Sequence, residues 1–268
     1  MSLTSLARTS SPLLGAYISF PSPFSAHLLS RLSFPWALID MEHAPLSPAT
    51  MTSLVHAIAA GSRNATLPLV RIPSHAVEWV KWALDSGAAG IVAPMVQCAE
   101  EAAALVRHAR YPPEGWRSVG PFQAGGADVT GEGGVGAYLA KAGREDGVDL
   151  IVMIESVLGV ENSGEIMRTK GVSGVFVGPV DLRASLGLPG SHGEEEVYMK
   201  ALERVIRVGK EIGMPVGIFS TGGEALKAHV KMGFSFMLVT GDVMALTEGA
   251  SAALRISMQI VNELKTSQ

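Results

Sequence analysis

The chain has a single cysteine, Cys98, in 268 residues. That excludes an intramolecular disulfide framework and any cysteine-based zinc site. Long apolar runs are missing as well, since none approaches the ~20 residues that a membrane span needs. The formal net charge is −4, with Lys and Arg scattered, so there is no basic footprint and nucleic acid is not an expected partner. No GxGxxG follows a strand, which discounts a dinucleotide site. The opening MSLTSLARTSS is short and Ser-rich, and LLGAYISF after it reads as a first strand, not a signal core. Asn64-Ala65-Thr66 matches a glycosylation sequon, which carries little weight without a secretory signal. The expectation is a cytoplasmic protein without membrane contact.

What is present suits one α/β domain. Apolar residues make up 47% of the chain, enough for a core, and barrels of this class commonly run near ~250 residues. Strands are predicted at Leu14–Phe20, Trp36–Asp40, Thr66–Arg71, Gly90–Pro94, Leu150–Ile154, Val175–Val177, Pro215–Phe219 and Phe236–Thr240. Helical patterns lie between them, including Ala99–Arg110, Tyr138–Glu145 and Glu194–Ile212. This alternation predicts a (β/α)₈ barrel over residues 1–268, with a flexible tail at 1–12. The terminal helix, about 243–265, is longer than barrel closure needs. It either packs on a partner subunit or covers the barrel floor. The Gly- and Pro-rich stretch Tyr111–Gly136 interrupts the alternation and reads as a functional lid or a disordered insert.

The chemistry concentrates between Ile151 and Asp181. Two runs apolar on every residue, Leu150–Ile154 and Val175–Val177, suit strands buried on both faces. Each is followed by a carboxylate, Glu155 and Asp181. The C-terminal ends of parallel strands are where functional groups gather. Two acids on one rim form a hard-oxygen site for a divalent cation that keeps some waters. Each alone also reads as a helix cap.

Asp40, Glu42 and His43 follow strand two, and Arg71 ends strand three. The long loop, placed between the fourth strand and its helix, would add Trp116, Arg117 and Gln123. Together these can bind a 2-oxo acid on a metal, which polarises the carbonyl. His43 would be the general base, oriented by a neighbouring carboxylate. Arg71 would hold a carboxylate or a developing enolate oxygen. The plainer alternatives are a structural His and an ordinary rim salt bridge. No Lys stands at a strand end, which argues against a Schiff-base aldolase. Ser220-Thr221-Gly222-Gly223 reads as a phosphate cradle or, preferably, a turn with a helix cap.

In order, IDMEHAP, LVRIP, ALDSGAAGIVAPMVQ, YPPEGWRSVGP, IESVLGVEN and FVGPVDLRASLG resemble the HpcH/HpaI family of class II pyruvate aldolases. The likeness runs from about Leu14 to the C-terminal helix, and the founding activity is 2,4-dihydroxyhept-2-ene-1,7-dioate aldolase. It implies a barrel of the phosphoenolpyruvate/pyruvate type that binds Mg²⁺, Mn²⁺ or Co²⁺. It also implies hexamers, trimers of dimers, with swapped terminal helices. Residue by residue, it implies Glu155 and Asp181 as metal ligands, His43 as base and Arg71 on pyruvate and its enolate. Asp40 would partner His43 from behind. Asp85 would raise the basicity of that His, with a neighbouring subunit as one source of it. Val180, beside Gly178 and Pro179, would contact substrate through its backbone N–H, and Trp116 would lie near the substrate.

Two residues before Glu155 the family usually carries a substrate-contacting Gln; here Met153 has no donor and is a weak acceptor. That bears on the substrate, not on the metal site. The reaction expected is retro-aldol cleavage of a 4-hydroxy-2-oxo acid to pyruvate, or a related 2-oxo acid, and an aldehyde. The enolate formed would be held by metal and Arg71. Rival readings are an oxaloacetate-type decarboxylase, a CoA-ester lyase on the same barrel, and a catalytically silent ligand-binding barrel.

Overall fold

Strand segments that are apolar on both faces need cover on both sides, and the fold supplies it by closing the sheet on itself. A computed structural model describes residues 2–10, 12–127, 134–144, 147–190 and 192–266. The strands are β1 (Leu13–Ile18), β2 (Trp36–Asp40), β3 (Leu67–Arg71), β4 (Gly90–Ala93), β5 (Asp149–Ile154), β6 (Gly174–Val177), β7 (Val216–Phe219) and β8 (Phe236–Gly241). All neighbours pair in parallel, and β8 returns to β1 to complete a closed barrel.

Helices cover its outside: α2 (Pro23–Ser30), α3 (Pro48–Ser62), α4 (Val77–Asp85), α5 (Ala99–Ala109), α6 (Gly134–Ala142) and α7 (Val157–Glu161). The series continues with α8 (Ser163–Arg168), α9 (Pro179–Ser185), α10 (Glu196–Ile212), α11 (Gly223–Met232) and α12 (Asp242–Thr266); α1 (Leu3–Thr9) precedes β1. The predicted (β/α)₈ barrel is therefore the observed fold, with strand ends displaced by a residue or two. The helix expected over Tyr138–Glu145 is observed as Gly134–Ala142, and Glu145 itself lies outside the described residues.

The core has two layers. Between sheet and helices lie side chains such as Val70, Ile91, Val152 and Ile154. Inside the barrel, Leu38, Leu69, Ile151, Met153 and Phe176 point the other way along the same strands. This is the period of two expected of pleated strands. The Trp36 ring meets Phe176 and Phe236 edge-on, with centroids 6.4 and 5.6 Å away. Gly15 makes room for that indole, since a Cβ there would lie 2.3 Å from Trp36 Cε2.

The opening segment is not a flexible tail. Ser2 caps α1, and Leu3 and Ala7 are buried against the barrel interior. Thr4 donates both its N–H and its hydroxyl to buried Asp149, the first residue of β5. Helix α1 thus closes the end of the barrel where the strands begin. The apolar residues Leu3, Leu6 and Ala7 fall on one helical face. The Ser and Thr between them hide that spacing in the sequence.

Because α1 takes the floor, α12 does not. Only Asp242 at its start is buried, while Leu246, Leu254, Ile256, Met258, Ile260 and Leu264 are exposed. No helix among the described residues is long and apolar enough to cross a membrane.

After β7 the chain turns through Ser220, whose buried hydroxyl bonds His229 Nδ1 at 2.8 Å. Gly222, with φ of 87°, starts α11 without a side-chain cap. The Ser220 side chain therefore does not cap α11. Burial, reinforced by His192, lowers the His229 pKa to about 4, against an ordinary value of about 6.5. Between those values the unfolded chain binds more protons, so stability falls as pH drops through that window. The stability of the wild type relative to a His229→Gln variant is therefore expected to fall between about pH 6.5 and pH 4, read as the difference between their urea midpoints.

Candidate active site

At the C-terminal end of the barrel lies a cleft of about 400 Å³, lined by residues from β1, β2, β3, β5, β6, β7, β8 and the starts of α9 and α12. Arg71, the last residue of β3, is its positive charge. Its Nε donates to Asp40 Oδ1 at 2.7 Å, and Nη1 lies 3.1 Å from Glu42 Oε2. Nη2 donates to the Tyr17 hydroxyl, which in turn donates to Asp40 Oδ2. A guanidinium has five N–H groups; two are hydrogen-bonded, to Asp40 and Tyr17, and Nη1 faces Glu42 as an ion pair.

Asp40 is buried at the end of β2. Burial alone would raise its pKa, but the Arg71 hydrogen bond and charge, with the Tyr17 hydroxyl, outweigh burial and hold it low. Its oxygens also accept the backbone N–H groups of Glu42 and His43, at 3.0 and 3.2 Å. Asp40 therefore shapes the turn that carries His43 and does not bond to the imidazole. His43 itself projects into solvent at the cleft wall, with Nε2 3.8 Å from Glu42 Oε2. Burial raises the Glu42 pKa against the pull of Arg71 and His43.

Glu155 directly follows β5 and is buried. Its Oε1 accepts the Met95 N–H at 2.7 Å. Met95 holds a left-handed φ of 52°, unusual for a side chain of its shape. Burial pushes the Glu155 pKa up to about 7; Asp181 and Glu42 add to the rise, and the Met95 N–H and Arg71 oppose it. Asp181, in the first turn of α9, is exposed and lines the cleft.

The buried Glu155 carboxylate packs against Gly178 in the cleft wall, where a Cβ would sit 2.1 Å from Glu155 Oε2. Of these four acids Asp181 lines the cleft, while Asp40 and Glu42 contact Arg71 and Glu155 contacts Gly178, both in its wall. Arg71 is the one Lys or Arg among the described residues lining the cleft. A divalent cation between Glu155 and Asp181 would relieve their mutual repulsion. No cluster of three or more His, Cys, Asp or Glu suited to a metal occurs among the described residues. Two carboxylates with water and substrate oxygens completing the shell is the pattern that Mg²⁺ tolerates.

The structure also brings Met153, Gly178, Pro179 and Val180 to the cleft, as expected. It does not bring Trp116, Arg117, Gln123 or Asp85. The long loop follows α5 instead of preceding it, so it emerges on the opposite end of the barrel. There, exposed Trp116 lies under the Arg107 guanidinium, 5.0 Å from the ring centroid. Buried Arg117 reaches Asp85 Oδ1 at 2.5 Å, and His56 Nε2 lies 3.0 Å from the Gln123 carbonyl. The described part of the loop is packed against the barrel and forms no lid over the cleft. Residues 128–133, within the stretch expected as lid or insert, lie outside the described residues.

Two site residues escaped the sequence reading. Tyr17 follows Gly15 in the alternation along β1, which places it inward. Asp242 follows the last strand as Glu155 follows β5, but reads as a helix start. Its carboxylate accepts the Ser19 N–H (2.9 Å) and hydroxyl (2.8 Å), the Phe20 N–H (2.7 Å) and the Val243 N–H (2.9 Å).

Comparison with known proteins agrees with the barrel fold. A hydroxypyruvate/pyruvate aldolase of Paraburkholderia phytofirmans is 35% identical over 253 residues, covering 94% of this chain and 96% of that protein. A 2-keto-3-deoxy-L-rhamnonate aldolase of Salmonella gallinarum is 33% identical over 256 residues, covering 95% and 92%. The crystal structure of an HpcH/HpaI aldolase/citrate lyase family protein from Burkholderia cenocepacia superposes with a TM-score of 0.85 at 33% identity, covering 96% of this chain and 98% of that one. The family model for HpcH/HpaI aldolase/citrate lyase matches residues 14–248. The chain is a member of the HpcH/HpaI aldolase/citrate lyase family and, like its named relatives, a carbon–carbon lyase.

Proposed function

We propose that this enzyme is a class II aldolase that cleaves a 4-hydroxy-2-oxo acid to pyruvate, or a related 2-oxo acid, and an aldehyde. The observation that carries this reading is the Glu155–Asp181 pair beside a pre-oriented Arg71 on the C-terminal rim. Glu155 and Asp181 would hold a divalent cation, which would supply Lewis acidity toward the 2-oxo acid. The rest of the work falls to the chain. Arg71 offers its remaining N–H groups to a substrate oxygen and stabilises negative charge as it develops there. His43, directly or through a water, takes the proton of the 4-hydroxyl group. The C3–C4 bond then breaks, C4 leaves as the aldehyde, and the electron pair forms an enolate that is reprotonated at C3. Asp85 acts on His43 only from a second copy, because within one chain it lies at the other end of the barrel.

The test is pyruvate release from a panel of 4-hydroxy-2-oxo acids, with EDTA and with Mg²⁺, Mn²⁺ or Co²⁺ restored. Release that stops with EDTA and returns with metal supports the reading. Carbon dioxide without aldehyde, from oxaloacetate, would replace it with a decarboxylase.

Gly178→Ala pushes a methyl group into the space of the Glu155 carboxylate. It is expected to weaken Mn²⁺ binding, measured by calorimetry, by roughly 10–100-fold, while the far-ultraviolet circular dichroism is unchanged. The exposed apolar side chains of α12 support a homo-oligomer, the hexamer with swapped helices. Replacing Leu254 and Ile260 with Asp is expected to reduce the native mass to that of a smaller assembly, read by light scattering.

A further inference from the structure

The cleft divides along the strand order. The charges assigned above, from Asp40 to Asp181, all belong to the β2–β6 side. The β7–β8–β1 side is walled by Phe219, Leu238, Val243 and Met244, with Val180 at the junction. Its three polar side chains are already engaged. Asp242 accepts from Ser19, Phe20 and Val243, and the Ser19 hydroxyl gives its proton to Asp242. The Tyr17 hydroxyl is turned to Arg71 and Asp40. No Lys or Arg among the described residues lines this side.

We propose that the aldehyde half of the substrate lies on this side and is uncharged and apolar beyond its carbonyl carbon, an aliphatic or aromatic aldehyde. Val243 and Met244, at the root of α12, set that preference. This rests on the aldolase reading. The 2-oxo acid half goes to Glu155, Asp181 and Arg71, which leaves the apolar walls to the other fragment. A second carboxylate there would lose its water without gaining a cation and would face the Asp242 carboxylate. Hydroxyl groups would be buried without partners. Methylene groups, by contrast, contribute roughly tenfold or more each in such a pocket.

The test is aldol addition of pyruvate, with metal supplied, to butanal, benzaldehyde, glyceraldehyde and succinic semialdehyde. Exchange of the pyruvate C3 hydrogens in D₂O, which needs no aldehyde, is followed in parallel. The expected result is a kcat/KM for butanal or benzaldehyde at least about tenfold above the other two. Met244→Lys and, separately, Val243→Arg place a cation on this side at partly exposed positions. Each is expected to raise succinic semialdehyde relative to butanal by about tenfold or more. Exchange accompanied by preference for glyceraldehyde or succinic semialdehyde overturns the inference and leaves the aldolase reading standing. So does an unchanged ratio in both variants. Absence of exchange overturns both readings.

Discussion

Glu155→Gln is expected to remove metal-dependent pyruvate enolisation, by roughly 10²–10³-fold or more, without unfolding the chain. Glutamine is nearly isosteric, and its carbonyl oxygen still accepts the Met95 N–H. The wild-type carboxylate is buried and its pKa is already raised by burial, Asp181 and Glu42. Exchanging it for a neutral amide therefore lifts a repulsion instead of adding one. The metal-free variant should melt at or above the wild-type temperature. The discriminating measurement is the rise in melting temperature with added Mn²⁺. A ligand at 100 times its Kd stabilises the folded state by about 2.7 kcal/mol. The wild type shows that gain and the variant shows none. A variant that still gains would place the cation elsewhere.

Arg71→Ala carries the second large effect, on stability as well as turnover. Asp40 is buried and charged, and its partners are Arg71, Tyr17 and two backbone N–H groups. Removing the guanidinium leaves that charge uncompensated, a change that typically costs about 3–5 kcal/mol. The double variant Arg71→Ala, Asp40→Asn removes the orphaned charge and should recover much of the urea midpoint. It should recover none of the activity, because the N–H groups meant for substrate remain absent. Arg71→Lys keeps a charge but cannot reach Asp40, Glu42 and Tyr17 together, and should fall between them in stability. Activity returning with stability in the double variant would reduce Arg71 to a structural ion pair.

The barrel was legible because its strands are short apolar runs at regular spacing, and β2 was placed residue for residue. The site was legible wherever a polar residue directly follows such a run, as with Glu155, Arg71 and Asp40. Asp181 was found although α9, not a turn, carries it. Tyr17 was missed because an aromatic within an apolar strand reads as packing; only the inward register of β1 and the hydroxyl contacts reveal its bond to Arg71. Asp242 was missed because a carboxylate at a helix start has an ordinary explanation. The loop after α5 misled because Trp116 and Arg117 look like binding residues. Their partners, Arg107, Asp85 and Tyr138, lie far apart in the chain, and no local pattern announces them. The tail was misjudged for a related reason, since α1 is fixed by Asp149, far along the sequence.

The central claim is that Glu155 and Asp181 hold a divalent cation that lets this chain form the pyruvate enolate. The most direct measurement follows the pyruvate methyl signal in D₂O by proton NMR with purified protein. The account predicts loss of the signal with Mg²⁺, Mn²⁺ or Co²⁺, its persistence with EDTA, and its persistence in Glu155→Gln under all conditions. Exchange that continues in EDTA, or none with any of the three metals from folded protein, would contradict it.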